Sequence, residues 1–204
     1  TSSIRRTHGG AFAYFPERFP TFHQRLQINQ NQKRALAKNA LSYIKPNSTI
    51  YLDGGTTVYL LAEELKANPV HPLTIITPNL PAIDLLLHIP NIEIHLTGGH
   101  LVPEQSILLG KAAIASVKIW KFDLAILSGR AFNSQGIWNE PFAQVELQQT
   151  AIRNSKKILA LLDSSKLGSK AEELLISWDH KITLLTDTDP ATLAAIPIPQ
   201  TCLP

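Results

Sequence analysis

Asp53-Gly54-Gly55-Thr56-Thr57 joins an apolar strand, Ile50-Tyr51-Leu52, to an apolar-periodic stretch that begins at Val58. Two glycines let the chain turn sharply and bring its backbone close to a ligand. The two hydroxyls stand where the first turn of a helix leaves N–H groups without carbonyl partners, so Thr56 or Thr57 could both cap the helix and donate to an oxyanion. Together with the helix dipole, this makes a strand-to-helix turn suited to a phosphate. A plain βα turn with a threonine cap would read the same in isolation. Binding is the favoured reading because open α/β sheets take ligands at the turns beyond the carboxyl ends of their strands.

Outward from this turn, strands and helices alternate. Upstream, Leu36, Ala40, Leu41 and Ile44 recur at helical spacing within 31–44, and Pro46 ends the segment. Strands are predicted over 49–53, 73–77, 92–96, 122–128, 157–163 and 181–186, and helices over 56–67, 81–88, 110–120 and 142–155. This order predicts an α/β fold, a Rossmann-like, mostly parallel sheet with helices on both faces. Strands rich in Leu and Ile without strict alternation agree with burial on both sides. The turns at 53–57, 77–79, 97–100, 128–130 and 163–166 then gather at one edge of the sheet. Their Gly, Thr, Ser, Asn, Asp and Lys residues predict a pocket for a small polar ligand. Residues 1–28, broken by His8-Gly9-Gly10 and Phe15-Pro16, read as an extended arm.

With 204 residues, 44% hydrophobic and 17% charged, the chain has the composition of a globular domain. A net charge of +3 argues against bulk attraction to a polyanion, and the dense basic pair Arg5-Arg6 reads as a tether. The chain has no methionine and opens on Thr1, which predicts a fragment or a processed chain. Its single cysteine, Cys202, cannot form an intrachain disulfide and suits a reducing compartment. No apolar run approaches the ~18 residues of a membrane helix, so a cytoplasmic chain is expected. No Gly-x-Gly-x-x-Gly follows the first strand, and Gly110-Lys111 lacks the upstream glycine and the hydroxyl of a P-loop. His95 and His100 flank Thr97-Gly98-Gly99 without metal-ligand spacing. Neither a cofactor nor a metal is expected.

Five short motifs occur in order: Arg6-Thr7-His8-Gly9-Gly10-Ala11; Phe22, Arg25, Asn29, Lys33 and Ala37; Leu52 to Thr57; Thr97-Gly98-Gly99; and Asp163-Ser164-Ser165-Lys166. In them the chain resembles the carboxy-terminal sensor domain of DeoR-type transcriptional regulators, bacterial repressors of sugar metabolism. Glycine at Gly54 stands where that family has serine in its Leu-Asp-Ser-Gly-Thr-Thr run, and Pro78-Asn79 departs from its Thr-Asn-Ser. The resemblance implies that 1–28 is a linker from a winged helix-turn-helix domain outside this chain and that 29–204 is a sugar-phosphate sensor. It further implies reciprocal coupling between the effector and operator DNA, and a homodimer or homotetramer reading paired half-sites.

The sensor fold is similar to ribose-phosphate isomerase, which makes a sugar-phosphate isomerase the alternative. Isomerising an aldose requires a base beside the carbonyl carbon and groups that stabilise the enediolate. Glu146 matches the isomerase helix glutamate, but Ser128-Gly129-Arg130-Ala131 stands where the paired aspartates should be. The expectation is a sensor without catalysis. The resemblance assigns the effector to Asp53, Gly54, Gly55, Thr56, Thr57, Gly98, Gly99, Gly129, Arg130, Glu146 and Lys166. Gly55, Thr56 and Thr57 would hold the phosphate, with Lys166 as a point charge and Arg130 as a bidentate clamp. Glu146 would accept from sugar hydroxyls, and Gly98-Gly99 would allow close backbone approach. As bland alternatives, Lys166 is a solvated lysine, Arg130 a loop arginine, Glu146 an acid on a helix face and Gly98-Gly99 a turn. Trp138 is read as core, interface or the floor of the pocket.

Overall fold

The computed structural model describes residues 4–7, 10–13, 20–169, 171–179 and 181–204. Strands β1 (Ile4–Thr7) and β2 (Gly10–Ala13) pair antiparallel. Helices α1 (Phe22–Gln27) and α2 (Gln30–Ala40) lead into β3 (Ser48–Leu52), α3 (Thr56–Ala67), β4 (Leu73–Thr77), α4 (Leu80–Leu86) and β5 (Ile92–Leu96). A hairpin of β6 (His100–Val102) and β7 (Ile107–Leu109) precedes α5 (Lys111–Lys118) and β8 (Phe122–Leu127). Then follow β9 (Ala131–Asn133), β10 (Gly136–Asn139), α6 (Phe142–Arg153), β11 (Ser155–Leu161), β12 (Glu173–Ser177), β13 (Ile182–Leu185) and α7 (Pro190–Ala194).

The main sheet has six strands in the order β13-β11-β8-β3-β4-β5, and every pairing in it is parallel. Side chains alternate across each strand, so each inner strand feeds two cores. Ile50 and Leu52 of β3, Leu124 and Ile126 of β8, and Leu159 and Leu161 of β11 meet α2 and α3 through Leu36, Ala40, Leu60 and Leu65. Tyr51, Ala125, Leu127, Ile158 and Ala160 point the other way, onto Ala113 and Val117 of α5 and Val145 and Ala151 of α6. Burial on both faces explains why these strands read as continuous apolar runs rather than alternating ones. The expected α/β fold with helices on both faces is the one observed.

From β3 the chain moves outward to β4 and β5, then returns to lay β8 on the opposite side of β3 and continues to β11 and β13. The β3/β8 boundary is therefore the topological switch point, where helices leave to opposite sides and a crevice opens.

Three parts of the sequence reading change. The stretch 1–28 is not a bare arm: β1 pairs with β2, and α1 docks by Phe22, which is 2% exposed and meets Tyr59 edge-on at 5.5 Å. His8, Gly9, Phe15 and Pro16 lie outside the described residues. The link from Gly98-Gly99 to α5 contains the β6/β7 hairpin, and the segment read as a long loop after β8 holds β9 and β10, which form a second sheet with β12. Strands of three or four residues are too short to show a period, so neither was visible in the pattern.

Candidate functional site

The turn after β3 sits at the switch point. Gly55 is the N-cap of α3 with φ +100 and offers no side-chain cap to the helix. The first-turn N–H groups of α3 therefore face the crevice unoccupied by a cap. A Cβ at Gly55 would meet nothing within 4 Å, so glycine is required there by backbone conformation rather than by space. At Gly54 the reverse holds: a Cβ would fall 2.2 Å from Cδ1 of Ile107, so the hairpin occupies the room a side chain would need. Asn79, 1% exposed, ties the turn down by donating Nδ2–H to the carbonyls of Asp53 and Gly55, both at 3.2 Å. Asn79→Ala is expected to cost about 1–3 kcal/mol in urea unfolding, because the buried Asp53 carbonyl and the part-buried Gly55 carbonyl each lose a donor.

Around this turn the fold collects cations from four places in the chain. Arg25 comes from α1, Lys33 from α2, Arg130 from the turn after β8 and Lys166 from the turn after β11, and all four line one cleft with Gly54, Gly55, Thr56 and Thr57. Burial, then the neighbouring Arg130, pushes the Arg25 guanidinium down to about 10. Burial, with Lys166 and Arg25 beside it and Asp163 opposing them, brings Lys33 down to about 8. Arg130 is lowered by burial against the raising effect of Glu140, whose Oε1 lies 3.1 Å from its Nε. Lys166 is lowered by burial and by Arg130 and Arg25, while Asp163 raises it. Among the described residues four cations meet two carboxylates, Glu140 and Asp163, so positive charge predominates in this partly buried cleft. Arg25 Nε is buried with no hydrogen-bond partner among the described residues.

The local geometry aims these groups. Asn29 donates to Asp163 Oδ1 at 3.1 Å and to Ser165 Oγ at 3.0 Å, clamping the start of α2 onto the short 3-10 turn Ser164–Lys166. Lys33 Nζ donates to the Arg25 carbonyl at 2.5 Å, holding α1 against α2. Beneath the turn, Gln148 Nε2 donates to Asp53 Oδ2 at 2.6 Å and to the Ser128 carbonyl at 2.9 Å, and Asn139 Nδ2 donates to Gln148 Oε1 at 2.7 Å. Asp53 is fully buried. Desolvation pushes its carboxyl up to about 7, although the hydrogen bonds from Gln148, Gly54, Ser128 and Tyr51 pull the other way.

Of the residues assigned from sequence, Gly54, Gly55, Thr56, Thr57, Gly129, Arg130 and Lys166 line this cleft. Asp53 does not reach it and supports the floor from below through Gln148. Gly98 and Gly99 are elsewhere, because they follow β5, two strands out from β3. Gly99, at φ +108, lets the turn close onto the hairpin: a Cβ there would sit 2.5 Å from the Leu109 carbonyl. Glu146 is exposed on α6, two residues from the inward-facing Gln144 and Gln148 and hence on the opposite side of the helix. Trp138 is not a floor; its Nε1 donates to Asn133 Oδ1 at 3.1 Å.

Arg25, Lys33, Gln105, Asn139, Glu140 and Gln144 line the cleft without having been assigned to it. Arg25 and Lys33 stood in the Phe-Arg-Asn-Lys-Ala pattern, which was the available signal. Gln105 had none. Among the described residues, no group of three or more His, Cys, Asp or Glu is placed to hold a metal, and no helix is long and apolar enough to cross a membrane.

A profile of the DeoR C terminal sensor domain matches residues 28–188. The HTH-type transcriptional regulator GolR of Listeria innocua is 31% identical over 186 residues, which cover 90% of this chain and 72% of that protein. The lactose phosphotransferase system repressor of Lactococcus lactis is 28% identical over 186 residues, covering 90% and 73%. Among solved structures, eIF2B delta from Chaetomium thermophilum is similar with a TM-score of 0.51 at 12% identity, covering 74% of this chain and 55% of that one. Ribose 5 phosphate isomerase A from Neisseria gonorrhoeae has a TM-score of 0.49 at 16% identity, covering 68% and 53%. This chain thus spans about half the length of either structure. The sequence relatives are transcriptional regulators, not enzymes.

Proposed function

We propose that this chain, which belongs to the DeoR family through its C-terminal sensor domain, binds a phosphorylated sugar as the effector of a transcriptional repressor of carbohydrate metabolism. The observation that carries this reading is the convergence of Arg25, Lys33, Arg130 and Lys166 on the uncapped N-terminus of α3. A phosphomonoester carries about −1.5 to −2 charges at neutral pH, the sign that the cations of this cleft favour. Thr56 and Thr57 supply hydroxyls and backbone N–H groups to its oxygens, and Arg130 and Lys166 supply charge. The polar lining beyond them, Asn139, Glu140 and Gln144, suits sugar hydroxyls. Effector binding in turn shifts the affinity of a winged helix-turn-helix domain for operator DNA, by reciprocal linkage. Paired half-sites call for a homodimer or homotetramer.

A thermal-shift screen tests the assignment. Ribose 5-phosphate, glucose 6-phosphate and galactose 6-phosphate are compared with their free sugars and with nucleotides. A ligand at ~100 times its Kd adds about 2.7 kcal/mol, or roughly 5–10 °C for a domain of this size. Shifts from free sugars or nucleotides alone would sink the phosphate assignment.

A further inference from the structure

Gln105 lies in the tip of the β6/β7 hairpin and is 4% exposed. It lines the cleft, yet its Nε2 has no hydrogen-bond partner among the described residues. An unfilled buried amide donor costs the free protein stability, so its retention at a cleft wall points to an acceptor that arrives from outside. The hairpin holds it rigidly. Its own N–H donates to the Val102 carbonyl at 3.1 Å, Leu80 N–H donates to the Ser106 carbonyl at 3.1 Å, and Leu108 N–H donates to the Pro78 carbonyl at 3.0 Å. From the other side, Phe22 N–H donates to the Glu104 carbonyl at 2.7 Å, which ties the hairpin to α1.

Position distinguishes Gln105 from two of the four cations, Arg130 and Lys166. Arg130 and Lys166 follow β8 and β11, on one side of the β3 turn, whereas the hairpin is anchored on the other side, where Ile107 bridges to Asn79 beyond β4. A neutral amide set across the turn from Arg130 and Lys166 suits a neutral oxygen better than a phosphate oxygen. We propose that Gln105 reads the sugar portion of the effector, donating its amide N–H to a hydroxyl or carbonyl oxygen, and so sets which sugar phosphate is accepted. This rests on the sugar-phosphate reading above.

The test is calorimetric titration of wild type and Gln105→Met with inorganic phosphate, ribose 5-phosphate, glucose 6-phosphate and galactose 6-phosphate. Met keeps the volume and removes the donor. The variant should bind inorganic phosphate within about twofold of wild type while losing roughly 10- to 100-fold on the tightest sugar phosphate. Its unliganded melting temperature should be unchanged or higher, since an orphaned buried donor is gone; a merely structural amide would lower it. Gln105→Leu repeats the measurement should the Met variant fail to fold. An unchanged ratio of sugar-phosphate to phosphate affinity overturns the inference while leaving the effector assignment intact. A wild-type chain that binds none of the four probes removes that assignment, and this inference with it.

Discussion

The double variant Lys33→Met/Lys166→Met is expected to bind the effector at least ~100-fold more weakly, since each charge-assisted hydrogen bond contributes about 1.5–3 kcal/mol. Both side chains line the cleft, and the pKa of each is lowered by burial and then by neighbouring cations. Those shifts mean that the charged forms are disfavoured in the folded state. A lysine with a lowered folded pKa binds fewer protons folded than unfolded, so stability rises as pH climbs from about 8, the folded value for Lys33, toward its ordinary value of 10.5. The variant should lose that rise and melt higher than wild type at neutral pH without ligand, even after losing the bond from Lys33 Nζ to the Arg25 carbonyl. Opposite signs for affinity and stability are the signature of a site assembled at the expense of the fold. Calorimetry with the best sugar phosphate and a melt of the free chain read both. Retained affinity would mean that the anion binds elsewhere.

Asp53→Asn should largely flatten the pH dependence of folding between about pH 4 and pH 7. Its carboxyl is raised from 3.8 to about 7, first by desolvation. Between those values the folded state holds a proton that the unfolded state has released. Stability therefore falls as pH rises through that window, by an amount on the order of 4 kcal/mol for a shift of this size. Asparagine removes the titration and keeps an oxygen for Gln148 Nε2, which donates to Asp53 at 2.6 Å. Urea unfolding at pH 5 and pH 8 should show wild type losing stability at the higher pH while Asp53→Asn stays nearly flat. Equal pH slopes for the two proteins would show that Asp53 is ionised throughout.

Much of the fold was legible because its main elements are long enough to carry a period. The segments that became β3, β4, β5, β8, β11 and β13 and their intervening helices were found within a few residues of their observed ends. Short elements were missed, as in the β6/β7 hairpin, where Ile107 occupies the space beside Gly54 and Gln105 enters the cleft. The site was legible only in part. Glu146 was assigned from a family position, but on α6 it is Gln144 that lines the cleft and Gln148 that bonds Asp53, one turn apart on the same side.

The Asp53 to Thr57 turn shows where local information ends. Its glycines, its hydroxyls and the apolar runs on either side already dictate a strand, a sharp turn and a helix with free N–H groups, because these depend on residues within a few positions of one another. That the turn after β8 stands beside it while Gly98-Gly99 stands two strands away follows from the strand order, which no local pattern encodes. The docking of α1 and α2, which brings Arg25 and Lys33 to the cleft rim from twenty or more residues ahead of the turn in sequence, is likewise a matter of packing. Charges that repel one another come together there because burying the apolar faces of Phe22, Leu36 and Ala40 outweighs the repulsion.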